Sequence, residues 1–204
     1  MEPVCCDVLN DEEGIARLLA FFSEVICAEG WQAGQELTAY GERTVWLALR
    51  RGDEIIGGAQ LIRGPGLLPC LTVWPELDLV SRADCVDVAL IALRQDVRGN
   101  LEYLWTLMVA IWRWCMANGI HELWAEVPPQ KLRAYTRTGF PWKIHGELRL
   151  HWAEGCYPCR TTVQATAREV ARRAERSAFF RELLDAELRA EPIRLPELLA
   201  EDAA

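Results

Sequence analysis

Residues 85–93 read CVDVALIAL, apolar at every position except Asp87. A run this short and this uniformly apolar fits a strand covered on both faces, because a strand with one wet face would alternate. Such a strand needs a layer on each side of it, so the chain has to build a sheet flanked by helices. The next segment supplies one. Leu101, Leu104, Trp105, Met108, Ile111, Trp112 and Cys115 recur at helical spacing, and Asn118-Gly119 ends the run. Asp87, a lone carboxylate inside the buried run, stands out as a residue that chemistry or structure must account for.

The remaining elements follow from local patterns. Asn10 or Asp11 can cap a first helix whose Ile15, Leu18, Leu19, Phe22, Val25 and Ile26 share one face, and Gly30 stops it. TVWLAL at 44–49 and EIIGGAQLI at 54–62 flank Arg51-Gly52-Asp53 and read as an antiparallel hairpin. Gly64-Pro65-Gly66 ends it, and the stretch to about Asp84 is predicted as a long surface loop. A strand from His121 to Val127 follows the long helix, then a short helix from Pro128-Pro129 through Arg137 and a corner at Gly139-Phe140-Pro141. Strands are expected near Lys143 to Leu150 and from Arg160 to Gln164. Thr166 and Glu169 form a capping-box pattern, predicting a last helix that carries Val170, Phe179, Phe180, Leu183 and Leu184. The prediction is one α/β domain over residues 1–190, a mixed, mostly antiparallel central sheet flanked by helices, with an acidic tail over 191–204 that frays.

Composition excludes several classes of function. The 204 residues carry 22 basic and 30 acidic side chains, a net charge of -8, which disfavours nucleic acid or an anionic membrane bound through bulk charge. No window approaches 18 uncharged apolar residues and the first residues lack the basic-then-apolar pattern of a secretion signal, so the expectation is a cytoplasmic protein without membrane insertion. Cys5, Cys6, Cys27, Cys70, Cys85 and Cys115 have no regular spacing and read as reduced thiols. Cys156 and Cys159 form a CxxC. With His145 and His151 nearby a metal is conceivable, but a second ligand pair is lacking, and the reading adopted is two ordinary loop cysteines and no metal.

Two motifs carry a resemblance. Tyr135-Thr136-Arg137-Thr138-Gly139-Phe140, and a turn Asp96-Val97-Arg98-Gly99-Asn100 opening the long helix, resemble the cofactor half of the GNAT acyltransferases. Over nearly the whole chain the sequence also resembles acyl-homoserine-lactone (autoinducer) synthases and N-acyl amino acid synthases, offshoots of the GNAT fold. The features are Gly30-Trp31, Ile56-Gly57-Gly58-Ala59-Gln60-Leu61, Val73-Trp74-Pro75-Glu76-Leu77, Asn118-Gly119-Ile120, Gly139-Phe140-Pro141 and Ile144-His145-Gly146. Where the synthases carry acids after the first helix, an arginine on the hairpin, and a glutamate and an arginine on the buried strand, this chain has Thr38 and Gly41, Gln60, then Asp87 and Leu90.

The resemblance implies a GNAT-like fold and an N-acyltransferase that moves an acyl group from an acyl-carrier-protein or acyl-CoA thioester to a primary amine of a small molecule, with no tightly bound cofactor. It implies Tyr135 as the acid that protonates the departing thiolate, and a donor seated in a V-shaped gap between the strands at 85–93 and 121–127. Arg98, Gly99 and Asn100 would hold the donor's phosphates, as a helix start suits an anion. Asp87 is the candidate base, with Glu126 in reserve. Trp31, Gln60 and Trp124 are candidates for the acceptor or acyl pocket. Two other functions fit the same frame: a non-catalytic GNAT-like protein that binds an acyl thioester or a partner, and a short-acyl enzyme using acetyl-CoA.

Overall fold

A computed structural model describes residues 4–31, 37–77, 82–178 and 180–181. The elements in order are β1 (Val4–Leu9), α1 (Glu12–Glu29), β2 (Thr44–Arg51), β3 (Glu54–Arg63), α2 (Pro69–Val73), β4 (Cys85–Leu93), α3 (Leu101–Ala117), β5 (Glu122–Val127), α4 (Pro129–Arg137), β6 (Lys143–Ile144), β7 (Arg149–His151), β8 (Glu154–Thr162) and α5 (Val163–Ala174). Along the sheet the strands lie in the order β1-β2-β3-β4-β5-β8-β6, with β7 paired to β8. Among the described residues only β4 and β5 run parallel; the other pairs are antiparallel. The mixed, mostly antiparallel sheet flanked by helices is therefore as expected. Among the described residues no helix is long and apolar enough to cross a membrane.

The apolar run 85–93 is β4, with β3 on one side and the start of β5 on the other. Its alternate residues serve two cores. Val86 and Val88 join Leu47, Leu61 and Leu123 beneath α3, while Cys85 lies on the opposite face with Ile62, Trp124 and the α2 segment. On that second face α1 covers Trp46, Ala48, Leu90 and Ala92. Asp11 caps α1 by accepting from the Gly14 N–H at 2.6 Å, and Gly30, at φ 68°, ends it. Gly58 sets how closely α1 lies on the sheet. A Cβ there would come within 2.7 Å of both the Leu18 Cδ1 and the Leu47 carbonyl oxygen.

Several elements depart from the sequence reading. Val4–Leu9, for which no element was expected, is an edge strand on β2. The stretch predicted as a surface loop contains α2 and packs inward, with Leu68, Cys70 and Trp74 buried and the Trp74 indole donating to the Glu147 carbonyl at 2.8 Å. A single helical turn is too short to show a period. The strand expected at 143–150 is two short pieces, β6 and β7, separated at Gly146, where a Cβ would meet Pro158 at 2.8 Å. β8 begins at Glu154 rather than Arg160, and Thr162, not Thr166, caps the last helix by accepting from the Ala165 N–H at 3.0 Å. Thr166 is buried inside that helix and Glu169 pairs with Arg172 and Arg173 instead of closing a capping box. Phe179, Leu183, Leu184, the domain end at 190 and the tail 191–204 lie outside the described residues.

Cys156 and Cys159 lie within β8 and not in a loop. Three residues apart on a strand, they face opposite sides of the sheet: Cys156 joins the cluster around α2 and Cys159 the cluster beneath α3. The CxxC therefore does not present two thiols to one ion.

Candidate active site

The parallel pair at the centre of the sheet is short. β4 and β5 pair Cys85 with Glu122, Val86 with Leu123 and Asp87 with Trp124, and no further. Beyond that point β4 continues beside β3 and β5 beside β8, so a wedge opens between them. On the β4 side the register slips: Leu61 faces Val88 and Gln60 faces Leu90, which leaves Ala89 as an extra residue in a bulge.

Two adjoining cavities occupy the wedge. The larger, about 250 Å³, reaches from Ile91 and Leu93 at the end of β4 to Arg98, Gly99 and Asn100 at the start of α3. The smaller, about 60 Å³, lies against the bulge, with Val88, Ala89, Glu126, Trp142 and Trp152 in its walls. Trp31, Ile91, Lys131, Tyr135 and Glu154 border both, so the two form one groove.

Tyr135 is half-buried on α4, where it faces both cavities. Desolvation, with smaller contributions from Glu154 and Cys156, pushes its phenol up to about 12. The hydroxyl thus keeps its proton throughout the neutral range. One helical turn earlier, Lys131 pairs with Glu154 at 3.3 Å and lies over the Trp31 ring, 4.9 Å from its centroid. Trp31 in turn stands 6.3 Å from Trp152. Trp152 and Ala153, at φ 48° and 68°, form the two-residue turn between β7 and β8. Both positions are left-handed, a conformation that costs non-glycine residues about 1–2 kcal/mol each.

At the other end, Gly99 has φ 87° and open space around its Cα, and the Asn100 side chain accepts from the Glu102 N–H at 2.9 Å, capping α3. Arg98 is already engaged: it donates to the Leu93 carbonyl at 2.7 Å and forms an ion pair with Glu29, tying the end of α1 to the end of β4. An anion at this turn would compete with Glu29 for that guanidinium.

Asp87 is fully buried and stands behind the cavity wall. One carboxylate oxygen accepts from the Cys70 backbone N–H at 2.8 Å; the other, Oδ1, has no hydrogen-bond partner. Burial holds this carboxyl well above the usual aspartate range, against the opposing effects of the Cys70 N–H and the Cys70 thiol. Asp87 faces Trp124 across the ladder, and Glu126, two residues further along β5, shares that face. Ligand atoms of Cys70, Asp87 and Glu126 all lie within 4.8 Å of one another, the one such cluster among the described residues that could meet on a single cation.

Two of the expected pocket residues point elsewhere. Gln60 is buried against α1's end of the sheet and donates to the Leu37 carbonyl at 2.6 Å, and Trp124 donates its indole N–H to Glu122 at 2.6 Å within the cluster around α2. Neither borders the two cavities described.

No family model and no curated protein matches the sequence. Solved structures do resemble it. FeeM, an N-acyl amino acid synthase from uncultured soil microbes, superposes with a TM-score of 0.71 at 13% identity, over 83% of this chain and 96% of that one. BjaI, a CoA-dependent acyl-homoserine lactone synthase solved with SAM and isopentyl-CoA, gives 0.63 at 20% identity, over 84% and 89%. A Bacillus subtilis acetyltransferase in complex with CoA gives 0.53 at 11%, over 78% and 99%.

The fold is that of the GNAT-like acyltransferases. Within this GNAT-like frame the wedge brings together Trp31, Arg98, Gly99, Asn100, Glu126 and Tyr135, with Asp87 behind them and Gln60 and Trp124 outside. Lys131, Glu154, Trp152 and Cys70 were not singled out from the sequence. Lys131 was within reach of it, four residues before Tyr135 on a predicted helix, whereas Cys70 and Glu154 are brought in by an unrecognised helix and by a strand that starts six residues early.

Proposed function

We propose that the chain is an N-acyltransferase that takes an acyl group from a thioester of coenzyme A or an acyl-carrier protein and places it on the primary amine of a small molecule. The observation that carries this reading is the continuous groove, which has an anion-compatible turn at one end and, at the other, a strand bulge, a carboxylate and a phenol around one small cavity. The donor's arm runs along β4 with its phosphates at Arg98, Gly99 and Asn100. Its thioester carbonyl lies at the Ala89 bulge, where the extra residue's backbone N–H, left out of the ladder, is a donor for the developing oxyanion.

The chemistry balances within the smaller cavity. The neutral amine attacks the carbonyl carbon, a C–N bond forms and the C–S bond breaks. Glu126 takes the proton the nitrogen sheds, and the sulfur takes one from Tyr135. The proton gained by Glu126 then restores the phenol, leaving amide and free thiol. Glu126 holds the base's place here, because Asp87 lies behind the wall. A carboxylate and a phenol on opposite elements of one cavity favour turnover over mere thioester binding.

The test is thiol release from a series of acyl-CoA donors, from acetyl upward, with a panel of primary amines that includes amino acids and S-adenosylmethionine. Amine-dependent release, lost in Glu126→Gln, is the expected result. A donor that binds in the groove and is never released by any amine, carrier-protein thioesters included, would identify a binding protein instead.

A further inference from the structure

We infer that Cys70, Asp87 and Glu126 form a binding site for one divalent cation of the zinc class, and that the bound ion takes Glu126 away from the acceptor amine and stops turnover. The site rests on the three side chains alone; the effect on turnover rests on the acyltransfer reading above.

Three elements converge on the site. Cys70 comes from α2, Asp87 from β4 and Glu126 from β5, and one ligand atom of each, a sulfur and two carboxylate oxygens, lies within 4.8 Å of the other two. Zinc bonds of about 2.3 Å to sulfur and about 2.0–2.2 Å to oxygen set neighbouring ligands of a tetrahedral ion roughly 3.5 Å apart. The three atoms therefore need to close by no more than about 1.3 Å, a distance that small side-chain rotations cover.

A separate observation points to a ligand at this place. Asp87 is wholly buried, and while its Oδ2 accepts from the Cys70 N–H at 2.8 Å, its Oδ1 has no hydrogen-bond partner. A buried polar atom without a partner has given up its hydration for nothing, and a cation in the cluster restores what it lost. The Oδ2 bond also anchors the carboxylate to the residue whose thiol is the next ligand, as the hydrogen bonds behind a metal's ligands commonly do. Two of the three ligands are thus fixed relative to each other before any ion arrives.

The ligand chemistry chooses the ion. One thiolate with two carboxylates suits zinc, whereas magnesium and calcium take oxygens, and more of them. Binding is an exchange: the sulfur bonds to the ion as the thiol proton leaves to solvent, and any proton on the two carboxyls leaves with it. Three protein ligands leave one position of a tetrahedral ion to solvent. Glu126 borders the smaller cavity, so the ion enters from there. Cys156 and Cys159 cannot hold it together, since they face opposite sides of the sheet. With its carboxylate bonded to the ion, Glu126 no longer takes the amine's proton, and a chelator restores it.

X-ray absorption of the unmodified chain loaded with one equivalent of zinc tests the site without any substrate or variant. The spectrum should show one sulfur at about 2.3 Å and oxygens at about 2.0–2.2 Å. With cobalt(II) as the probe, a sulfur-to-metal charge-transfer band should saturate at one ion per chain in excess magnesium and calcium. In variants shown by their melting to be folded, the band should vanish in Cys70→Ser, persist in Cys156→Ser and Cys159→Ser, and need at least about tenfold more cobalt in Asp87→Asn and Glu126→Gln. Asp87→Asn can still accept from the Cys70 N–H, so its loss reads the ligand and not the anchor. Failure to bind, two sulfurs on the ion, displacement by magnesium or calcium, or a band lost with Cys156 or Cys159 would each overturn the site. Zinc should also stop amide formation until a chelator is added, and amide formation that continues with zinc bound would overturn the switch. Zinc on these three side chains in a protein that transfers no acyl group keeps the site and removes the function; acyl transfer without zinc binding does the reverse.

Discussion

Tyr135 shows how one side chain's environment divides a role from its strength. Its phenol is held at about 12, so the proton is present at every working pH, but the group is a weaker acid than a free tyrosine and acts by hydrogen-bonding the sulfur as charge develops. Tyr135→Phe keeps the ring in place and should leave the melting temperature within about 2 °C while lowering kcat about 10²-fold. Equal kcat in the two proteins would make the tyrosine a packing residue. Asp87 gives a second prediction, on stability. Because burial raises its folded-state pKa above the unfolded one, the folded state binds the proton more tightly, and the stability linked to it is lost as pH rises through the folded value. Asp87→Asn should therefore gain on the parent as pH rises, its melting temperature comparing better at about pH 8 than at about pH 4. A difference that does not change with pH would mean that the buried carboxyl is not the source. Asp87, Glu126 and Tyr135 were visible in the sequence as a charge in an apolar run, a carboxylate on a strand and a motif tyrosine. That the two carboxyls come within 4.8 Å of each other was not, since it depends on register across β4 and β5.

At the scale of elements, the wedge depends on features that a linear pattern does not carry. The apolar run predicted β4 and the helical period predicted α3, and both stand where expected. The bulge at Ala89 and the early parting of β4 from β5 are matters of pairing, and α2 is too short for a period to emerge. The β7–β8 turn is the plainest case of local preference overruled. A turn with two left-handed residues favours Asn-Gly, yet here it is Trp152-Ala153, and the indole it presents forms part of the smaller cavity's wall. Ala153→Gly should relieve the strain and stabilise the protein by about 1 kcal/mol, read from denaturant unfolding, without altering activity. Trp152→Gly relieves the same strain but removes the wall, so its effect should fall on the amine's KM. Destabilisation by Ala153→Gly would show that the turn carries no such strain.

Over the whole molecule, the larger cavity is a meeting of five elements, the end of α1, the end of β4, the start of α3, one face of α4 and the start of β8, and the smaller one adds β5 through Glu126 and β7 through His151. α1 sits close enough to take part only because Gly58 offers no Cβ, and Arg98 ties it to β4 through Glu29. The acidic chain, at a net charge of -8, offers a polyanionic donor little general attraction, so binding must come from the local turn and the apolar walls. A crystal structure with a non-hydrolysable acyl-CoA analogue tests this arrangement most directly. The expected result is a pantetheine arm along β4, phosphates at Arg98, Gly99 and Asn100 with Glu29 displaced from the guanidinium, and the thioester carbonyl at Ala89 beside Tyr135 and Glu126. Donor bound anywhere outside the wedge between β4 and β5 would contradict it.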